Sequence, residues 1–237
     1  MTNKQRMEIV LRGGVPDVPP HWELVFQIEK EMFGMDAEAV GRAPYPSEAG
    51  KRDAMQKHYI EIQHRLIDEC GWAACTGYSP RDVTALKREV GHKALVCTHD
   101  WDGVFWMPTG ETMMEFATRL YEQPESLHAE ARRKCEAAKQ RFREYADAGV
   151  DFFVPAYDFG FNDQPFVSPA HFGEFVAPYL TELVQACHDL GKPAILHSDG
   201  CVTAILNQIH ATGLDGYQSI DPQGHMDIKA VREQYPQ

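Results

Sequence analysis

The stretch "GKPAILHSDGCV", residues 191–202, sets a short apolar run directly before a histidine, an aspartate and a cysteine. An apolar run of this length between two glycines, Gly191 and Gly200, is typical of a buried β-strand. His197 and Asp199 therefore stand where the strand ends. Two interpretations are open: these residues belong to a functional site at the strand end, or they form a polar turn.

Apolar runs alternate with segments of helical periodicity along the whole chain. The predicted strands are 18–26, 71–79, 93–110, 150–158, 193–200 and 215–221, the third extended by a hairpin around Asp102-Gly103. The predicted helices are 3–12, 47–69, 111–122, 124–148, a helix from Ser168-Pro169 that stops at Gly191, 202–212 and 227–235. This alternation predicts an α/β fold whose parallel strands are joined by right-handed crossovers.

An open doubly wound sheet and a (β/α)8 barrel both fit that alternation. The chain contains neither G-x-G-x-x-G nor G-x-x-x-x-G-K-[ST], so the usual support for a nucleotide-binding sheet is missing. A barrel brings its strand ends to one mouth, where the catalytic residues of barrel enzymes lie. The sequence favours the barrel because polar residues follow strand after strand: Glu23, Thr76, His99, Asp100, Asp158, His197, Asp199, Gln218 and Asp221.

Composition excludes several classes of protein. No apolar run is long enough to span a membrane, and the N-terminus lacks the apolar core of a signal peptide, which predicts a cytoplasmic location. The six cysteines form no C-x-x-C pair, so neither a disulfide framework nor a zinc finger is indicated. The net charge of −12 disfavours nucleic acid as a partner, because no basic stripe is present to neutralise phosphates.

Residues 158–200 resemble the uroporphyrinogen decarboxylase superfamily. The resemblance lies in an S-P-x-x-F-x-E-F-x-x-P-Y helix followed by G-K-P and by H-S-x-G at a strand end. The opening "NKQRMEIVLRGGVPDVPP" and the late "TGLDGYQSIDPQGHMDIKAVREQYP" resemble the same superfamily. The resemblance implies a TIM-type (β/α)8 barrel over residues 1–237, with the site at the carboxyl ends of the strands.

The superfamily contains the porphyrinogen decarboxylase and methyltransferases that move methyl groups between corrinoid cofactors and thiols or other acceptors. The decarboxylase branch carries R-Q-A-G-R-Y after the first strand and an aspartate in F-S-D-I after the second strand. Here the first of these regions reads "HWELVFQIEKEMFG" and contains no arginine. The second reads "CTGYSPRD" and has no aspartate directly at the strand end. The resemblance therefore favours the methyltransferase branch.

In that branch an H-x-C pair at this strand end, with a later cysteine, binds zinc. The histidine corresponds to His197, Asp199 replaces the first cysteine, and the late cysteine has no counterpart before Gln237. Oxygen ligands make a harder site, suited to activating water or an oxygen leaving group. Methyltransferases that act on methyl ethers or methylamines would be compatible, with Glu23, Asp158 and Glu174 as supplementary candidates.

The candidate residues follow from strand ends and resemblance together. We predict His197, Asp199, Asp158 and His99 as catalytic residues, and His197, Asp199 and Glu23 as ligands of a metal, with zinc as the candidate ion. His99, Asp100 and Asp102 equally fit a turn. For Cys201 a small buried side chain is a commoner role than that of a ligand.

The chain ends after about six β/α units, whereas a complete barrel uses about 250 residues or more. An unclosed barrel exposes strand edges and apolar surface, so we expect a fragment or a homodimer in which a second copy covers the gap. The predicted partners are a small-molecule substrate and a separate corrinoid carrier protein. The alternatives are porphyrinogen decarboxylation without a metal and a non-catalytic barrel that binds a ligand or partner.

Overall fold

The structure, a computed structural model, describes residues 1–236, which form two compact units. Unit 1 comprises Met1–Thr98 and Asp147–Asp151, and unit 2 comprises His99–Ala146 and the described residues from Phe152 onward. Among the described residues, no helix has both the length and the apolar character that a membrane span requires. That residues 1–237 form a single domain stays a prediction.

Unit 1 begins with helices and ends on two strands. Its elements are α1 (Asn3–Leu11), α2 (Glu29–Phe33), α3 (Ala37–Arg42), α4 (Glu48–Cys70), β1 (Ala74–Thr76), α5 (Pro80–Glu89) and the start of β2 (Leu95–Asp100). Serine hydroxyls fix two helix starts: Ser47 accepts from the N–H of Gly50 before α4, and Ser79 accepts from the N–H of Asp82 before α5. The helices predicted over 3–12 and 47–69 are confirmed.

The two strands of unit 1 are parallel and buried. Ala74 pairs with Leu95 and Thr76 pairs with Cys97. All residues of β1 and β2 are buried, as expected for a parallel sheet covered on both faces. The strands predicted over 71–79 and 93–110 are therefore present, although each is shorter than predicted.

The strand predicted over 18–26 is wrong, because the structure has no strand there. Pro19 and Pro20 lack the backbone donors that a strand ladder needs. One sheet-like bond remains, in which the N–H of Ala73 donates to the carbonyl oxygen of His21 at 3.0 Å. The short helices α2 and α3, which follow, are absent from the predicted elements.

Unit 2 continues from the last two residues of β2, His99 and Asp100, and alternates helices with strands. Its elements are α6 (Thr112–Glu122), most of α7 (Pro124–Asp147), β3 (Phe152–Pro155), α8 (Pro169–Phe175), α9 (Ala177–Asp189), β4 (Ile195–His197), a 3₁₀ turn (Thr203–Ile205), α10 (Leu206–Ala211), β5 (Gly216–Gln218) and α11 (Ile228–Gln234). The helices predicted over 111–122, 124–148 and 227–235 are confirmed, and the last three predicted strands are present in shortened form.

The strands of unit 2 run parallel, so their carboxyl ends meet at one edge. Ala156 pairs with His197, and in β4 and β5 His197 lies opposite Gln218. The N–H of Ala156 also donates to the carbonyl oxygen of Asp100 at 2.8 Å, which places the end of β2 at the same edge. The core of unit 2 beneath these strands is aromatic, and the rings of Phe142 and Phe153 have centroids 4.6 Å apart.

Two local predictions in unit 2 are corrected. The hairpin around Asp102-Gly103 is absent; residues 101–104 form bends, and the N–H of Gly103 donates to the hydroxyl of Tyr157 at 3.1 Å. The helix predicted from Ser168-Pro169 to Gly191 starts as expected but breaks at Val176, where φ is −121°. Pro178 lies two residues later and lacks the N–H that a continuous helix needs.

The structure thus confirms an α/β fold of helices and parallel strands. The described residues contain five strands rather than the six predicted, because residues 18–26 are not a strand. That these elements belong to a TIM-type barrel cut short after about six β/α units, and that the protein forms a homodimer, stay predictions.

Candidate functional site

Asp158, His197 and Asp199 of unit 2 converge beyond the ends of β3 and β4. The Nε2 atom of His197 lies 3.5 Å from Oδ1 of Asp158 and 3.8 Å from Oδ2 of Asp199. One ligand atom from each of the three residues lies within 4.8 Å of the others. The imidazole is buried, whereas the two carboxylate side chains are 34% and 55% exposed, so this carboxylate–histidine cluster opens to solvent.

The neighbouring strand orients His197. Parallel pairing sets Gln218 of β5 opposite His197, and Nδ1 of the imidazole donates to Oε1 of Gln218. Because an amide oxygen only accepts, Nδ1 carries the proton and the lone pair of Nε2 faces the two carboxylates. A lone pair that faces two negative groups is stabilised by a proton or a metal cation between them.

Asp199 is positioned by its backbone and by a strained neighbour. Its N–H donates to Oδ1 of Asp158 at 3.0 Å, and one of its carboxylate oxygens accepts from the hydroxyl of Ser219. Ser219 has a φ of 70°, in the left-handed region that non-glycine residues rarely adopt. Strain of this kind is concentrated at functional sites.

Close backbone packing supports the loop that carries Asp199. Gly200 has a φ of 77°, and a Cβ there would overlap the carbonyl group of Gly160. The N–H of Cys201 donates to the carbonyl oxygen of Phe161 at 2.7 Å, and the N–H of Gly200 donates to Asp221 at 3.2 Å. The H-S-D-G sequence thus needs its glycine for two reasons: the positive φ, and the lack of room for a Cβ beside Gly160.

His99 is a buried imidazole at the end of β2. Burial, together with the nearby charge of His197, lowers the pKa of His99 to about 4. The ring meets the indole of Trp101 edge-on at 5.5 Å. At neutral pH His99 is therefore an uncharged imidazole, which can donate one hydrogen bond and accept another.

Asp100 and Asp102, the acids that follow His99, both form ion pairs. Asp100 is buried and accepts from Nε of Arg141 at 2.9 Å and from the hydroxyl of Tyr157. Asp102 pairs with Lys134 on α7. Both carboxylates hold the loop after β2 in place, which makes them structural.

The other candidate residues lie apart from the cluster or in unit 1. Glu174 lies on α8, 3.5 Å from Nε2 of His128, and Sγ of Cys201 contacts the hydroxyl of Thr203 at 3.8 Å. Glu23 belongs to unit 1, where its exposed side chain lines a cavity. Its role as a metal ligand stays a prediction.

The donor set of the cluster fits a metal ion. Imidazole nitrogen and carboxylate oxygen together are ligands that zinc accepts at catalytic sites. The bond from Nδ1 to the amide oxygen of Gln218 leaves Nε2 free, and ligating histidines in metal sites bond an acceptor through their other nitrogen in the same way. His197, Asp158 and Asp199 are therefore the residues of unit 2 that could hold the ion.

The chain matches a known protein family over more than half of its length. Residues 104–236 match the family model described as uroporphyrinogen decarboxylase (URO-D), more than half of the sequence. The chain belongs to the uroporphyrinogen decarboxylase family. The matched region contains the whole carboxylate–histidine cluster, so these residues are part of the family domain. No curated protein matches the chain.

Among solved structures, this member of the family is similar to a methyltransferase from Methanosarcina mazei. The TM-score is 0.68 at 14% sequence identity, over 92% of this chain and 75% of that chain. At this identity the likeness shows the fold. A putative phosphonomutase from Burkholderia cenocepacia J2315 gives a TM-score of 0.41 at 13% identity, over 78% of this chain and 64% of that chain.

The sequence of this family member pointed to all three residues of the cluster but not to the groups that hold them. It proposed His197, Asp199 and Asp158 as catalytic residues, and the structure brings their side chains together. It placed Gln218 and Asp221 at a strand end without a role and did not consider Ser219. The signal for Gln218 was the "DGYQS" strand end, but its bond to His197 depends on the strand register.

Proposed function

We propose that this protein is a methyltransferase that moves a methyl group between a small methylated substrate and a corrinoid or thiol acceptor. The observation that carries the proposal is the carboxylate–histidine cluster, in which His197 Nε2 faces Asp158 and Asp199 at a solvent-open strand edge. Family membership and the fold shared with a methyltransferase support it.

His197, Asp158 and Asp199 are the residues that would hold zinc. When bound, zinc supplies Lewis-acid stabilisation of negative charge on the atom that gives up or receives the methyl group. Gln218 keeps the imidazole in the tautomer whose Nε2 is free to ligate, and Ser219 holds Asp199 in place. A separate carrier protein would bring the corrinoid to this edge.

The acidic character of the cluster disfavours porphyrinogen decarboxylation in this chain. A substrate with many carboxylates needs cationic side chains, as in the R-Q-A-G-R-Y segment of the decarboxylase branch. Arg141, which lies in unit 2, already pairs with buried Asp100. Like charges would meet at the carboxylate–histidine cluster, which costs binding free energy.

Methyl transfer in both directions tests the proposal. The 237-residue chain is mixed with cob(I)alamin and a panel of O-, N- and S-methylated compounds, or with methylcobalamin and a thiol, and the corrinoid spectrum is followed. We expect transfer in at least one arm and a loss of about 100-fold or more in Asp199→Asn. Asp163→Asn, at an exposed carboxylate of unit 2, is the matched control.

Two outcomes contradict this assignment. One is decarboxylation of uroporphyrinogen without methyl transfer in any arm. The other is methyl transfer that Asp199→Asn and Asp163→Asn leave equally unaffected, because the carboxylate–histidine cluster would then have no part in the reaction.

A further inference from the structure

Unit 1 contains a cavity that the proposed function does not use. It has a volume of about 130 Å³ and lies among α4, β1 and the segment 23–29. A dry cavity of about 150 Å³ in another protein accepts benzene, so this cavity has room for a molecule of up to about six heavy atoms.

Two polar side chains of α4 line this cavity, and among the described residues each has one atom without a hydrogen-bond partner. Gln63 is only 2% exposed, and among residues 1–236 its Oε1 has no partner. Nε2 of His58 is also covered and, among the same residues, has none. A buried polar atom left in this state is destabilising, so a group that donates to Oε1 is bound favourably.

Aromatic rings form much of the cavity wall. Phe26 and Trp72 meet edge-to-face at 5.7 Å, and Tyr59 and Tyr78 lie 5.7 Å apart. The hydroxyl of Tyr59 is already used, because it donates to the carbonyl oxygen of Thr76 at 2.7 Å. The rings therefore offer apolar surface and π-faces to an occupant, which favours alkyl groups and cations.

The carboxylates that line the cavity make its wall negatively charged. Glu23 and Glu29 are the ionisable acids that line the cavity, and its described lining contains no lysine or arginine. An anionic ligand would meet repulsion there, whereas a cation would be attracted. Acceptor atoms, aromatic rings and carboxylates are complementary to an alkylammonium ion that still carries N–H groups.

We propose that this cavity binds a small protonated alkylamine. Its N–H groups donate to Oε1 of Gln63 and to Nε2 of His58, which turn toward the ligand about their soft terminal torsions. Its alkyl groups pack against Trp72 and Tyr59, and Glu29 contributes attraction from the rim. The site lies wholly within unit 1 and does not depend on methyl transfer by the carboxylate–histidine cluster.

Calorimetric titration of the full chain with tert-butylammonium tests the proposal, and tert-butanol serves as the uncharged isostere. We expect the amine to bind at least tenfold more tightly than the alcohol. Gln63→Leu removes the acceptor at nearly constant volume and should weaken amine binding tenfold or more, because hydrogen bonds to charged groups are the stronger ones. Gln140→Leu, on the exposed face of α7, is the matched control and should bind as the wild type does.

Gln63→Leu should also fold well, because it removes an unpaired buried acceptor. A second variant, Glu29→Gln, keeps the cavity shape and should weaken amine binding by about twofold to fivefold, as a partly exposed charge does. The proposal is overturned if tert-butylammonium does not bind, so that the cavity holds water only. It is equally overturned if the alcohol binds as tightly as the amine, or if Gln63→Leu binds like the wild type.

Discussion

At the scale of single residues, Gln218 decides which nitrogen of His197 faces the two carboxylates. Because Nδ1 donates to Gln218, Nε2 is turned toward Asp158 and Asp199. The polar residues at the ends of β3 and β4 could be predicted from the sequence, since apolar runs mark the strands. The partner of His197 could not, because it depends on which residue of β5 lies opposite.

Replacing Gln218 with leucine should release the imidazole from this tautomer. We expect nitrogen NMR of metal-free Gln218→Leu to show a mixture of tautomers at His197, and zinc affinity to fall by about 10- to 100-fold. Gln185→Leu, at an exposed position of α9, is the control and should change neither. An unchanged tautomer in Gln218→Leu would refute this role.

His99 should make the stability of the protein depend on pH. The unfolded imidazole titrates near the ordinary pKa of 6.5, whereas burial holds the folded pKa near 4. Between these values only the unfolded state takes up the proton, so the free energy of unfolding falls as the pH decreases from about 6.5 to about 4. The contribution of His99 to this loss is about 3 kcal/mol.

Urea unfolding at several pH values measures this dependence. The wild type should lose more stability on acidification than His99→Gln, and the two curves should be parallel above about pH 6.5. His92→Gln, at an exposed histidine, should follow the wild type throughout. Identical pH dependence in the wild type and His99→Gln would contradict the lowered pKa.

At the scale of elements, the loop after β4 depends on close backbone contact. The sequence shows Gly200 in H-S-D-G, but only the structure shows that Gly160 lies directly against it. The other differences between the predicted and the observed elements also have local causes. Pro19 and Pro20 deprive residues 18–26 of strand donors, and Pro178 follows the break between α8 and α9. Apolar periodicity does not register these local effects of proline and glycine. It therefore predicts that a helix or strand exists but places its ends poorly.

Substituting alanine for Gly200 should destabilise the fold by about 2–4 kcal/mol, from an unfavourable φ and a clash with Gly160. Gly213→Ala is a matched control: its φ is 83°, and nothing lies within 4 Å of the added Cβ. It should cost only the conformational part, about 1–2 kcal/mol. Equal losses in the two variants, measured by urea unfolding, would show that the contact with Gly160 is unimportant.

At the scale of the whole molecule, the alternation of strands and helices was enough to predict the α/β fold. The family followed from the helix beginning at Ser168-Pro169 and the H-S-D-G strand end, and both lie within the matched region 104–236. Apolar patterning cannot establish how the chain divides into units, because that division depends on contacts between residues far apart in sequence. The predicted metal site stays a prediction, because Asp199 stands where the resemblance to the superfamily implies a cysteine.

The metal content of protein purified without chelator and supplied with zinc tests the proposed role of the carboxylate–histidine cluster most directly. Elemental analysis should find about one zinc per chain in the wild type and in His92→Ala, and almost none in His197→Ala. A wild-type protein free of metal, or a His197→Ala variant that retains as much zinc as the wild type, would contradict a metal centre at Asp158, His197 and Asp199.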